Sequence, residues 1–122
     1  MGTILIVEDE DQVRVLSESV IQEMGHKTLS ASTAEQALAL LEGDEPIDLI
    51  FTDIGLQSDI QAGLTIAQEA LKRKPKVPVL YTTGQGLTDG MRALFIEDYG
   101  FLAKPYTADQ LTTAVQNLLP KK

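Results

Sequence analysis

Two acidic residues, Glu8 and Asp9, stand straight after the first apolar run of the chain, in ILIVEDE, and a third, Asp53, stands straight after another, in DLIFTD. A carboxylate at the end of a buried strand shares its charge with little solvent. Several converging there repel one another unless a cation lies between them, so the pattern asks for a divalent metal. Two more residues end comparable runs: Thr83 follows the one in VLYTTG and Lys104 the one in FLAKPY. An acidic pair after a strand also has a plainer use, opening the next helix, and Asp9 or Asp11 suits that role.

These residues depend on the elements that carry them. Ile4 to Val7, Leu49 to Phe51 and Val77 to Tyr81 are short apolar runs rich in β-branched residues, which read as buried parallel strands. Lys27 to Ser30 and Phe101 to Ala103 are weaker strands of the same type. Between them, apolar residues recur at three and four. Val13, Leu16, Val20 and Met24 form one helical stripe, closed by Gly25; Ala34, Ala37, Leu38 and Leu41 form a second, opened by Ser32 and Glu35 at capping-box spacing. Leu64, Ala67, Ala70 and Leu71 make a third, ended by Pro75, and Leu111, Val115 and Leu118 make the last, preceded by Thr107 and Gln110 in another capping box. A further helix is expected near Thr88 to Glu97, weakened by Gly84, Gly86 and Gly90 at its start, since a helical glycine costs about 1 kcal/mol against alanine.

Strand and helix alternating five times predict an α/β fold: a doubly wound, five-stranded parallel sheet of flavodoxin-like order 2-1-3-4-5, with helices on both faces. Its ligand site lies beyond the carboxyl ends of the strands. Strands one and three are neighbours in that order, so Glu8, Asp9 and Asp53 converge, and Thr83 and Lys104 fall on the same edge.

At 122 residues the expectation is one domain over residues 1–122 without an output domain. No apolar stretch approaches the ~20 residues that cross a bilayer, and MGTILIV lacks the basic region and small-residue cleavage site expected of a secretion signal. Cysteine is absent, which suits a reducing cytoplasm. Residues 1–53 hold 12 of the 18 acids against Arg14 and Lys27 as their only bases, within a net charge of -8, which argues against direct nucleic-acid binding. Asp48, before its strand on the far edge, reads as a turn or solvent-facing residue and His26 as an exposed loop residue. Lys72, Arg73, Lys74 and Lys76 read as the cationic end of a helix.

The acidic pair in VEDE, the aspartate of DLIFTD, the hydroxyl and small residue at Thr83 and Gly84, and the Lys104–Pro105 pair, in that order on alternating strands, form a set. The set resembles the response regulator receiver domain of two-component signalling over essentially the whole chain. The resemblance implies that Asp53 is the phosphoacceptor, forming an acyl phosphate. It implies Mg²⁺ held by Asp9, Asp53 and the Gly55 backbone carbonyl, with Glu8 holding a metal-bound water. Lys104 and Thr83 then stabilise the phosphoryl group, Gly84 leaves room for it, and Pro105 constrains the lysine. Counting five residues on from Pro78, as the family pattern does, selects Thr83 over Thr82, which strand alternation turns toward a helix-covered face where its hydroxyl needs a local acceptor. Thr83 and Phe101 are the implied switch residues, Phe101 standing where tyrosine is common.

The implied phosphoryl donors are a histidine kinase or a histidine phosphotransferase, and the output is contact with an unidentified downstream protein. Dimerisation through the fourth and fifth helices is left open. The chain departs from the family after Asp53, where DIGLQSDIQAG has Gln57 in a proline place and reaches Gly63 about two residues late, a longer loop beside the metal site. That loop and the glycine-rich fourth segment favour one alternative, an interaction module of the same fold independent of phosphorylation. A small phosphatase working through an aspartyl intermediate is disfavoured, because Gly55 stands where the haloacid-dehalogenase type needs a second acid. No turnover of an external substrate is expected.

Overall fold

Aliphatic runs flanked by turn-forming residues build the sheet. A computed structural model describes residues 2–43, 46–53, 66, 68–69, 72, 77–83, 99–103 and 106–119. The strands are β1 (Thr3–Val7), β2 (Lys27–Ala31), β3 (Leu49–Asp53), β4 (Val79–Thr83) and β5 (Tyr99–Ala103), all parallel, in the order β2-β1-β3-β4-β5. That is the expected order. Every residue of β1 and β3 is buried, so these strands read as unbroken apolar runs because both their faces are covered.

Alternation divides the core into two layers. Ile4, Ile6, Leu49, Phe51 and Leu80 pack with Val20 and Ile21 of α1 (Asp11–Glu23) and with Leu111 and Val115 of the Ala108–Leu118 helix. Leu5, Val7, Ile50, Val79 and Tyr81 pack on the opposite face with Ala37 and Leu41 of α2 (Ala34–Glu42) and with Ile66. Each fully buried aliphatic side chain contributes about 1.5–3 kcal/mol. Ile66, Gln68, Glu69 and Lys72 are helical and lie in the β3–β4 crossover, and Lys72 pairs with Glu69 at 3.6 Å.

Helix ends are set by local polar groups. Gly25 closes α1 with φ 94°, a left-handed turn that glycine takes without steric cost. Thr107 and Gln110 form the expected reciprocal capping box. The start of α2 differs from the expected Ser32 and Glu35. Thr33 is the N-cap, accepting from the Gln36 amide, while the Gln36 side chain reaches back to the Ser32 backbone N–H at 2.8 Å and its hydroxyl at 3.0 Å. A neighbouring hydroxyl with a better-placed partner, one residue on, captured the cap.

Three other expectations shift. β4 runs from Val79 to Thr83 rather than Val77 to Tyr81; Pro78 has no N–H for the ladder, and both threonines extend the strand. On α1 the buried residues are Ser17, Val20 and Ile21, and Leu16 is 48% exposed, because Ile21 enters the core beside Val20 and turns the inward face onto Ser17, whose hydroxyl is satisfied by the Val13 carbonyl and the Tyr106 hydroxyl. Asp48 is exposed, as expected, yet Oδ2 accepts from the Thr3 backbone N–H at 2.7 Å, and the half-buried His26 takes the Gly2 N–H on Nδ1 at 3.1 Å. Both serve the amino-terminal edge of β1.

The stripe Leu64, Ala67, Ala70 and Leu71, the Thr88–Glu97 segment and the loop through Gln57 and Gly63 lie outside the described residues. Gly100 sits where the Ala108–Leu118 helix rests on β5: a Cβ there would lie 2.6 Å from Leu118 Cδ1 and 3.1 Å from Leu80 Cδ1.

Candidate functional site

Register brings the acids together. Val7 pairs with Thr52, so Glu8, the next residue on one strand, comes level with Asp53, the next on the other. Asp9 follows in the turn to α1. Glu8 and Asp53 are 3% and 5% exposed, and Asp9 is half-buried. One carboxylate oxygen from each of Glu8, Asp9 and Asp53 lies within 4.8 Å of the other two. Three hard oxygen donors at the mouth of a buried sheet suit a divalent cation that keeps several waters, the preference of magnesium. The donor set therefore fits the metal that the acidic pattern asked for.

The turn carrying the acids is held at several points. The Glu8 amide continues the β1–β2 ladder by donating to the Ala31 carbonyl at 3.0 Å, and Glu8 Oε2 accepts from the Glu10 amide at 3.2 Å. Glu10, not Asp9 or Asp11, is the N-cap of α1, and its own side chain makes no capping bond. Asp11 is in the first turn, where a negative charge complements the helix dipole. Arg14 donates through Nη1 to the Glu8 carbonyl at 3.1 Å and through Nη2 to Asp11 Oδ1 at 2.6 Å.

On the neighbouring strand, Thr82 is in register with Asp53, and Thr83 ends β4 opposite Ala103 rather than following the strand. Thr82 is 2% exposed, as its helix-covered position required. The expected local acceptor for its hydroxyl is not found among the described residues. Phe101 pairs with Tyr81, packs half-buried against the layer containing Tyr81, and lines a cavity of about 480 Å³ between β5 and the Ala108–Leu118 helix. Gly55, Gly84, Lys104 and Pro105 lie outside the described residues.

Two contacts near the site were not anticipated. Arg14 stood out only as one of two bases in an acidic stretch; its spacing of three from Asp11 on a helix was the available signal. Tyr106, directly after Lys104 and Pro105, pairs its hydroxyl with that of the buried Ser17 at 2.7 Å and stands edge-on to Phe51 at 5.8 Å, tying the chain after β5 to α1. Nothing in local periodicity marks that pairing, which joins residues far apart in sequence.

Comparison with known proteins bears on what this edge is. The sequence profile of the response regulator receiver domain matches residues 4–116. The nitrogen assimilation regulatory protein NtrX of Azorhizobium caulinodans is 32% identical over 117 residues, 95% of this chain and 26% of that protein. The chain thus spans about a quarter of the length of the NtrX-type relatives it matches. Among solved structures, a receiver protein of Sinorhizobium medicae superimposes with a TM-score of 0.86 at 29% identity, covering 96% of this chain and 93% of the other. The Thermotoga maritima response regulator TrrA, solved with Mg²⁺ and BeF, superimposes with a TM-score of 0.80 at 29% identity, covering 98% and 100%. Matched along nearly its whole length by profile, sequence and fold, the chain belongs to the response regulator receiver domain family.

Proposed function

We propose that the chain accepts a phosphoryl group on Asp53 from a phosphohistidine of a histidine kinase or histidine phosphotransferase. The observation that carries this reading is the convergence of a buried Asp53 with Glu8 and Asp9 at the carboxyl edge of the sheet. In the transfer, an Asp53 oxygen bonds to phosphorus while the bond from phosphorus to the histidine nitrogen breaks, and the imidazole leaves with that electron pair. Such a step needs an in-line approach and neutralised phosphoryl oxygens more than it needs an acid or base.

Asp9, Asp53 and the Gly55 carbonyl are the Mg²⁺ ligands in this reading. Glu8 acts through a metal-bound water, which is supported by Oε2 already accepting from the Glu10 amide. When bound, Mg²⁺ supplies positive charge to the phosphoryl oxygens. The Mg²⁺ and BeF bound by the Thermotoga relative support both the metal and the phosphoryl site. Lys104 neutralises a second phosphoryl oxygen, Thr83 donates its hydroxyl to another, Gly84 leaves space for the group, and Pro105 constrains the lysine. Phe101 responds by packing, biasing an existing equilibrium of the β4–β5 region that a downstream protein reads.

Residues 1–122 act as one receiver unit in the cytoplasm, turning over no external substrate. Among the described residues no helix is long and apolar enough to cross a membrane. Incubation with acetyl phosphate and Mg²⁺, followed by intact-protein mass spectrometry, tests the reading. The parent gains one phosphoryl group and Asp53→Asn gains none. Failure of the parent to label would leave the phosphorylation-independent interaction module as the better account, and equal labelling of the two would put the phosphoryl group on a residue other than Asp53.

A further inference from the structure

Arg14 reaches back from α1 to the segment that carries the acids. Its two acceptors, the Glu8 carbonyl and the Asp11 carboxylate, flank Asp9 and Glu10, so the guanidinium spans the β1–α1 turn. The Arg14 side chain is 19% exposed and that of Asp11 83%, so the ion pair alone contributes little stability. What distinguishes the contact is its second arm, which fixes a backbone carbonyl in the turn. Arginine's planar fork holds two acceptors at once, and a lysine ammonium cannot reproduce that geometry.

The other base of residues 1–53, Lys27, begins β2 opposite Thr3 at the far edge of the sheet. Arg14 is thus the base of that stretch placed beside the acids, and its charge and its geometry act in opposite directions. As a charge, it repels an incoming cation and disfavours metal binding. As a staple, it holds the backbone from which Glu8 and Asp9 project, so less ordering remains to be done when a cation arrives.

We propose that Arg14 is a positioning residue for the cation site, and that its effect through geometry outweighs its effect through charge. The inference rests on the reading of Glu8, Asp9 and Asp53 as a Mg²⁺ site. It makes the affinity for Mg²⁺, and with it the readiness of Asp53 for phosphoryl transfer, dependent on a residue that touches neither the metal nor the phosphoryl group.

Mg²⁺ binding to the whole chain, measured by isothermal titration calorimetry, separates the two effects. Arg14→Lys keeps the charge and loses the fork; its dissociation constant for Mg²⁺ rises ~5-fold, the worth of a typical hydrogen bond. Arg14→Gln also binds Mg²⁺ more weakly than the parent, although it has lost a repelling charge. A parental dissociation constant in Arg14→Lys, or tighter binding in Arg14→Gln, overturns the proposal. Amide hydrogen exchange without metal gives a second readout: the Asp9 and Glu10 amides exchange faster in Arg14→Lys while the β1 amides do not change, and unchanged exchange in the turn likewise overturns it. Asp9→Asn distinguishes the two levels. If that variant loses Mg²⁺ binding while Arg14→Lys binds as the parent does, only the positioning role fails; if it binds Mg²⁺ normally, the metal-site reading fails and the inference with it.

Discussion

β3 is bracketed by two aspartates five positions apart in sequence, Asp48 before it and Asp53 at its end, and they meet opposite surroundings. Asp48 faces backbone: Oδ2 takes the Thr3 N–H at 2.7 Å, so its negative charge is answered by the peptide it holds. Asp53 is 5% exposed and faces two more carboxylates. The amino edge of the sheet uses its acid to close the fold, while the carboxyl edge gathers three carboxylates whose oxygens lie within 4.8 Å of one another. Residue type does not separate these uses; which end of a parallel strand the residue occupies does.

The largest expected difference between the two edges is in chemistry. Asp53→Asn abolishes labelling by acetyl phosphate, and Asp48→Asn, which keeps an acceptor for the Thr3 amide, labels as the parent does; mass spectrometry of both variants decides. Asp48→Ala, by contrast, leaves a largely buried amide without its acceptor and costs about 2 kcal/mol in urea unfolding, again without touching phosphorylation. Metal response comes next in size. At ten times its dissociation constant Mg²⁺ stabilises the parent by ~1.4 kcal/mol, a gain that vanishes in Asp9→Asn and persists in Asp48→Asn. A parent melting temperature indifferent to Mg²⁺ would remove the contrast altogether. The smallest effect sits beside Asp53 and has the opposite sign: Thr82→Val removes a buried hydroxyl without a partner among the described residues, and raises stability by about 1 kcal/mol, roughly 4 °C. No rise in melting temperature would mean that the hydroxyl is satisfied.

Much of this was legible in the sequence because the sheet is covered on both faces. Continuous apolar runs such as ILIV and LIF mark buried parallel strands with little ambiguity, and alternation with helical stripes leaves few topologies. Strand order then made the convergence of Glu8, Asp9 and Asp53 readable before any coordinates. Less visible was whatever depends on competition between neighbours. Thr33 rather than Ser32 caps α2 because the helix begins at Ala34 and the Thr33 hydroxyl meets the Gln36 amide, and Ser17 rather than Leu16 is buried on α1 because Val20 and Ile21 together enter the core and set the inward face. The edge that Asp48 occupies follows from its place before an apolar run, but its bond to Thr3 depends on how β1 and β3 align. The staple made by Arg14 depends on the backbone path of a turn, and no periodicity encodes that.

Gly100 has a consequence for how far the sequence can drift. The helix lies directly on β5 because an atom is missing there, with Leu118 filling the place a methyl would occupy. A side chain at position 100 therefore has to be met by a shift at Leu118. A chain that acquires a side chain at position 100 has to cut back or turn Leu118, altering the wall of the cavity that Phe101 also lines. The face beside β5 can then be reshaped by a paired exchange of small for large, while the acidic edge, fixed by strand register, stays as it is.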